Sequence, residues 1–150
     1  MKKKWLVLLI PVLALLFLGL GAVGQYNGLV DSYAEVENAQ ANVDTQLQRR
    51  YDLIPNVVAA VKGAMEHEEE IFTAIAEARA KIGSSQQGTG EYNQAQSQLD
   101  SAVSRLLVVA ENYPQLTANQ QVSDLITELE GTENRILVAR KDYNAVATSY

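Results

Sequence analysis

A single histidine stands in the 150-residue chain, and it sits among carboxylates in Glu66-His67-Glu68-Glu69-Glu70. Imidazole and carboxylate are ordinary ligands of a divalent cation, and on a helix residues three apart share a face, so His67 and Glu70 make the candidate metal pair. A di-iron helical bundle asks for more, namely two Glu-x-x-His elements and further inward glutamates. Position 64 is Ala, and there is no second histidine to supply them. The pattern fits an acidic solvated turn, or weak surface binding of a cation, better than a catalytic centre. A metal-dependent sensor or enzyme built on His67 is the rival functional reading.

Other routes to chemistry close early. With no cysteine there is no thiol nucleophile, thiolate zinc site or disulfide framework. A Ser–His dyad would have to use His67, which lies in helical sequence rather than on a strained turn beside an oxyanion-binding nest. The glycine-containing run GTGEYN lacks both the lysine and the preceding strand of a phosphate-cradling loop. No catalytic residue, cofactor or small-molecule substrate is assigned.

A second constellation, Arg49-Arg50-Tyr51-Asp52-Leu53-Ile54-Pro55-Asn56, sets two guanidinium groups, a carboxylate and a proline inside helical sequence. It reads as a hinge before it reads as a site. A proline inside a helix forgoes a hydrogen bond and crowds the carbonyl four residues back, here Tyr51, at a cost of about 3 kcal/mol or more. A break removes that cost: Arg49 and Arg50 complement the end of one helix, Asp52 caps the next, and Pro55 falls in its first turn. The expectation is a break at Asp52–Pro55; the alternative is one long helix kinked at Pro55.

The elements that must position these residues are helices almost throughout. From Leu29, steps of four and three pass through Tyr33, Val36, Val43, Leu47, Ile54, Val57, Val61, Ile71, Ile75, Ala78 and Ile82, with Gln40, Arg50 and Glu68 as polar exceptions. Arg50 and Glu68 therefore either reach water from exposed ends of the stripe or pair across helices to fix register, as single polar groups do in coiled coils. Arg49 joins them as a candidate interaction or register residue. A second stripe holds Leu99, Val103, Leu106 and Ala110; a third runs from Val122 to Tyr150. Each stripe covers one face and needs a partner to bury it. A glycine- and serine-rich connection spans 83–90, and Pro114 marks the next boundary, within 113–119. No alternating β-branched run suggests a strand.

The fold class is all-α. A break at Pro55 yields four segments of about 22 to 30 residues each, which suits an antiparallel up-down bundle with short connections. Without the break, three helices form, the first of them long.

Ahead of this lies the apolar run Leu6–Val23, eighteen residues without a charge, preceded by Lys2, Lys3 and Lys4. It reads as a single-pass signal anchor, with Leu6, Leu9, Leu13, Leu16 and Leu20 against lipid; a cleaved signal peptide is the alternative. Residues 1–24 are thus the cytoplasmic lysines and the anchor, and 25–150 the helical bundle. The early lysines place the amino terminus in the cytoplasm and export the rest. Past residue 24 all 18 acids face 9 bases, once the three lysines are taken from the 12, a formal charge of −9. Such a surface disfavours nucleic acid and anionic headgroups.

Several long motifs carry a resemblance. Tyr26-Asn27-Gly28-Leu29-Val30, VDTQLQRRYDLIPNVVAAVKG at 43–63, the His67-Glu68 pair, Ala78-Arg79, RLLVVAENYPQLTAN at 105–119 and ENRILVARKDYN at 133–144 together resemble the LemA family. The resemblance covers residues 26 to 150. It implies a bacterial single-pass membrane protein carrying an antiparallel four-helix bundle, and it brings no activity, cofactor or catalytic residue. Two departures from the family pattern are visible. Ala39-Gln40-Ala41-Asn42 lacks the tryptophan often found before Val-Asp-x-Gln, and this chain stops at Tyr150, where relatives usually continue.

The functional expectation is a helical scaffold or adaptor of the bacterial inner membrane that works by binding. The lipid bilayer is one partner; a second copy of the chain or another envelope protein is the other.

Overall fold

The computed structural model describes residues 2–150, and of Lys2 only the backbone. Five helices follow in order: α1 (Lys2–Val61), α2 (Glu69–Ser84), α3 (Gly90–Ala110), α4 (Pro114–Ala118) and α5 (Gln120–Ser149). No strand occurs among the described residues.

The expected break at Asp52–Pro55 does not form. Residues Lys2 to Val61 make one helix that passes through both Pro11 and Pro55, and at 1.5 Å per residue it rises about 90 Å. The first reversal comes later, at 62–68, where Ala64 N–H donates to Val61 O and Glu68 N–H to Met65 O. The four segments of matched length are accordingly replaced by one long helix, three of ordinary length and the single-turn α4.

The other helix starts follow local chemistry. Thr89 caps α3, its hydroxyl accepting from Tyr92 N–H at 3.3 Å. Asn119 caps α5, its side-chain oxygen accepting from the N–H groups of Gln121 at 3.0 Å and Val122 at 3.3 Å. Pro114 sits in the first turn of α4, where a missing N–H does no harm. Glu69 and Glu70 open α2 and Lys81 closes it, matching the helix dipole. Gly88, at φ 83°, supplies the left-handed residue in the 85–89 connection.

The chain divides into two compact units. Thr45–Leu137 form one. Its core is a continuous cluster that draws Ile54, Val57 and Val61 from α1, Ile71 and Ile75 from α2, Leu99, Val103 and Leu106 from α3, Leu116 from α4 and Leu129 from α5. The heptad positions account for this burial directly. Helices α2 and α3 run antiparallel: Lys81, late in α2, reaches Gln98 in the first half of α3, while Glu70 at the start of α2 lies near Arg105 toward the end of α3.

The other unit comprises the part of α1 up to Asp44 together with Val138–Tyr150, the end of α5 and the residue after it. Val43 and Ala139 are buried there, and the rings of Tyr33 and Tyr150 meet at 6.0 Å between centroids. The apolar run toward its amino-terminal end is exposed along its whole length.

Candidate functional site

Arg50 occupies an α1 stripe position between Leu47 and Ile54, so the periodicity that buries its neighbours buries it too. It is 0% exposed, so the reading that sends its charge to water at an exposed end of the stripe does not hold. A fully buried guanidinium needs anionic or polar company to offset lost hydration. Two other helices provide it. Nη1 donates to Asp100 Oδ1 of α3 and to Glu133 of α5, at 3.1 Å to Oε1 and 3.4 Å to Oε2. Nη2 donates to Gln96 Oε1 of α3 at 2.7 Å. Nε of Arg50 and Oε1 of Gln46, one helical turn earlier, are buried without a hydrogen-bond partner among the described residues. Arg50 thus bridges the carboxylates of Asp100 and Glu133, whose side chains keep 31% and 20% exposure.

A second arrangement explains how α1 tolerates Pro55. Proline lacks the N–H that would have reached Tyr51 O along the helix. Arg79 Nε of α2 donates to that same carbonyl oxygen at 3.1 Å. Its guanidinium carbon also lies 4.1 Å from the centroid of the Tyr51 ring, a cation–π contact. The Tyr51 hydroxyl reaches Gly83 so closely that a Cβ there would stand 3.0 Å from it. One arginine from a neighbouring helix thus takes over the donor role that the proline gave up. This is the physical reason the expected break is absent.

The remaining sequence candidates fall in separate places. Arg49 pairs with Glu128 of α5 at 2.9 Å, both side chains about half exposed. Asp52 caps nothing; it lies inside α1, exposed, and accepts from Gln48 Nε2 at 3.0 Å. Glu68 is half-buried just before α2 and accepts from the Tyr113 hydroxyl at 3.4 Å. Burial, and after it the Glu68 charge and hydrogen bond, push the Tyr113 hydroxyl above its ordinary value. Leu6, Leu9, Leu13, Leu16 and Leu20 are all exposed on α1.

The geometry assumed for His67 and Glu70 is not present. His67 lies in the turn ahead of α2 and is exposed, so the two do not share a helix face. Glu70 in the first turn of α2 is 94% exposed and 3.9 Å from Arg105. Among the described residues no group of three or more metal-ligating side chains comes together.

Sequence reasoning gave no role to Asp100 or Gln96, and Arg79 and Glu133 entered it only as parts of the quoted motifs Ala78-Arg79 and ENRILVARKDYN. Gln96 had a signal: it sits three positions before Leu99 and extends the second stripe by one step. Asp100 and Glu133 each follow a stripe residue, Leu99 and Thr132, which puts them at the margin of a buried face. Nothing in the local sequence of Arg79 marks it as the donor to Tyr51.

The family model for the LemA family matches residues 39–150, a span that contains Arg50, Pro55, Arg79 and all partners named above. Among curated proteins, the chain is 27% identical over 128 residues to Protein LemA of Metamycoplasma hominis, covering 85% of this chain and 58% of that protein. It is 26% identical over 170 residues to Magnetosome protein MamQ of Magnetospirillum gryphiswaldense, covering 97% of this chain and 62% of that one. Two MamQ proteins of Paramagnetospirillum magneticum are each 26% identical over 151 residues, 84% of this chain and 56% of theirs. The chain therefore spans little more than half the length of these relatives. On the family match across three quarters of its length, this chain belongs to the LemA family.

Proposed function

We propose that the protein is a non-catalytic scaffold or adaptor, anchored in the bacterial inner membrane by α1 and acting through self-assembly or through contact with another envelope protein. One observation carries the reading. The same unbroken helix exposes its apolar amino-terminal run and buries Arg50 among residues of α3 and α5, so α1 serves lipid at one end and the protein core at the other. Among the described residues one helix is long and apolar enough to cross a membrane, which points to a membrane location.

Under this reading Thr45–Leu137 form an antiparallel four-segment bundle of α1, α2, α3 and α5, and Arg50 sets their register. A lone polar group at a core position has that role in coiled coils, because any other register strands it. The polar contacts inside this unit hold helices together, and neither relative's name, LemA or MamQ, denotes an enzyme. The lysines at the amino terminus keep that end in the cytoplasm, and the acidic remainder faces outward.

The test is to extract the intact chain in mild detergent and determine the mass of the complex and its composition. A particle of two or more copies, or a stoichiometric second envelope protein, is the expected result. A lone monomer with nothing attached, both in detergent and after cross-linking in the cell, contradicts the proposal.

A further inference from the structure

We propose that Trp5 and Tyr26 mark the two faces of the hydrocarbon layer, and that residues 27–30 lie in the headgroup layer next to it, so that α1 is held at a set depth in a phospholipid bilayer. The inference rests on the anchor reading above and adds to it where each end of the span sits.

The observations are spacing, charge and exposure along one helix. Trp5 and Tyr26 are separated by 21 positions of continuous helix, which rise about 32 Å, against about 30 Å for the hydrocarbon core. Both rings are free of the protein, 77% and 67% exposed. Rings of this kind favour the membrane–water interface, where an apolar body meets a polar tip. Between them every side chain is uncharged.

The charge-free stretch then runs past Tyr26. Leu29 and Val30, 52% and 48% exposed, continue the apolar surface, and Asp31 is the first charge after Lys4. From Tyr26 to Asp31 the helix rises about 7.5 Å, which matches one headgroup layer, since the bilayer with both layers measures about 40 to 45 Å. Lys2–Lys4 at one boundary and Asp31, Glu35 and Glu37 beyond the other give the span opposite charges at its two ends. Anionic lipid attracts the first set and repels the second. Spacing and ring chemistry set the two boundaries at Trp5 and Tyr26, and the charges flank them, adjoining the first and lying one headgroup layer beyond the second.

Trp5 is the only tryptophan in the chain, so the intact protein already carries its own depth probe. The experiment reconstitutes it in phosphatidylcholine vesicles whose lipids are brominated either near the headgroup or near the acyl-chain end, and reads tryptophan fluorescence. A Trp5→Phe/Tyr26→Trp variant reports on the other face, a Trp5→Phe/Leu29→Trp variant on the adjoining layer, and a Trp5→Phe/Leu15→Trp variant on the middle. Shallow bromines are expected to quench more than deep ones for the wild type and for the Tyr26→Trp and Leu29→Trp variants, with the order reversed for Leu15→Trp. Should the chain float with the vesicles while either end responds like the Leu15→Trp variant, the assigned depth is wrong though the anchor stands. Should the Leu29→Trp variant escape quenching by every lipid while a Leu29→Cys variant cross-links two copies, that stretch is covered by protein and the proposal fails. Failure of the chain to float with the vesicles overturns both this inference and the anchor reading.

Discussion

Arg50 concentrates the cost of error at a single position. Its removal by Arg50→Ala leaves Asp100 and Glu133 without their shared cation and opens space beside Leu47 and Ile54. Breaking a buried pair from one side costs about 3 to 5 kcal/mol, so thermal unfolding followed by circular dichroism in detergent should show a large drop in midpoint. Arg50→Lys keeps the charge and loses the fork that serves Gln96 and the carboxylates together, and should recover only part of the loss. Arg49→Ala, one residue away, removes a half-exposed pair and should change stability by no more than about 1 kcal/mol. Tyr113 gives a titration test. Its hydroxyl is raised above 10.0 by burial and by Glu68, so the folded state holds that proton more tightly than the unfolded state does. The associated stability is complete below the unfolded value and fades as pH climbs through the folded one. In an alkaline ultraviolet titration, Tyr113→Phe identifies the Tyr113 ionisation by its loss, and Glu68→Gln should bring that ionisation to lower pH. At this scale the sequence revealed that Arg50 stands in a buried stripe, but not its partners, which lie 50 and 83 residues away.

Helix α1 owes its continuity at Pro55 to α2. The free Tyr51 carbonyl, the Arg79 donor and the Tyr51 ring form one unit, and a double-mutant cycle can isolate it. Arg79→Met should destabilise the protein, since a hydrogen bond from a charged group contributes about 1.5 to 3 kcal/mol. Pro55→Ala restores the missing N–H, so Arg79→Met should cost less in that background, with a coupling of about 1 kcal/mol or more. Equal costs in both backgrounds would mean that Arg79 acts only through its stacking on Tyr51. Periodicity made the elements themselves legible: the second stripe is buried at all four positions, and Val43, Leu47, Ile54, Val57 and Val61 are buried along the first. The connections at 83–90 and 113–119 were legible from their glycine, serine and proline content, and Pro114 opens a helix as its fixed geometry suggests. The break at Pro55 was misread because local rules price a proline by what its own helix loses, whereas the compensation arrives from a residue 28 positions away from Tyr51. Gly63 lies in the observed reversal, just past the end of the helix.

Across the whole molecule, charge is divided unevenly between the two sides of the apolar span, and the proposed orientation rests on that division. The chain has no cysteine, so a single Gln87→Cys substitution in the exposed α2–α3 connection gives one labelling site. In intact cells a membrane-impermeant maleimide should label it from outside. Labelling only after lysis would put the acidic part in the cytoplasm and reverse the proposed topology. The all-α class and the apolar amino-terminal helix were legible from composition and patterning alone. The inner cluster was not, because three distant segments must meet before Asp100, Glu133 and Arg50 are neighbours. That separation also bears on biosynthesis. The ribosome releases Arg50 long before Glu133, and at about 5 to 20 residues per second the arginine waits roughly 4 to 17 s for its last partner. During that interval the membrane-bound end of the nascent chain carries a hydrated, unclasped cation, and only a protein translated beyond α5's first half can close around it.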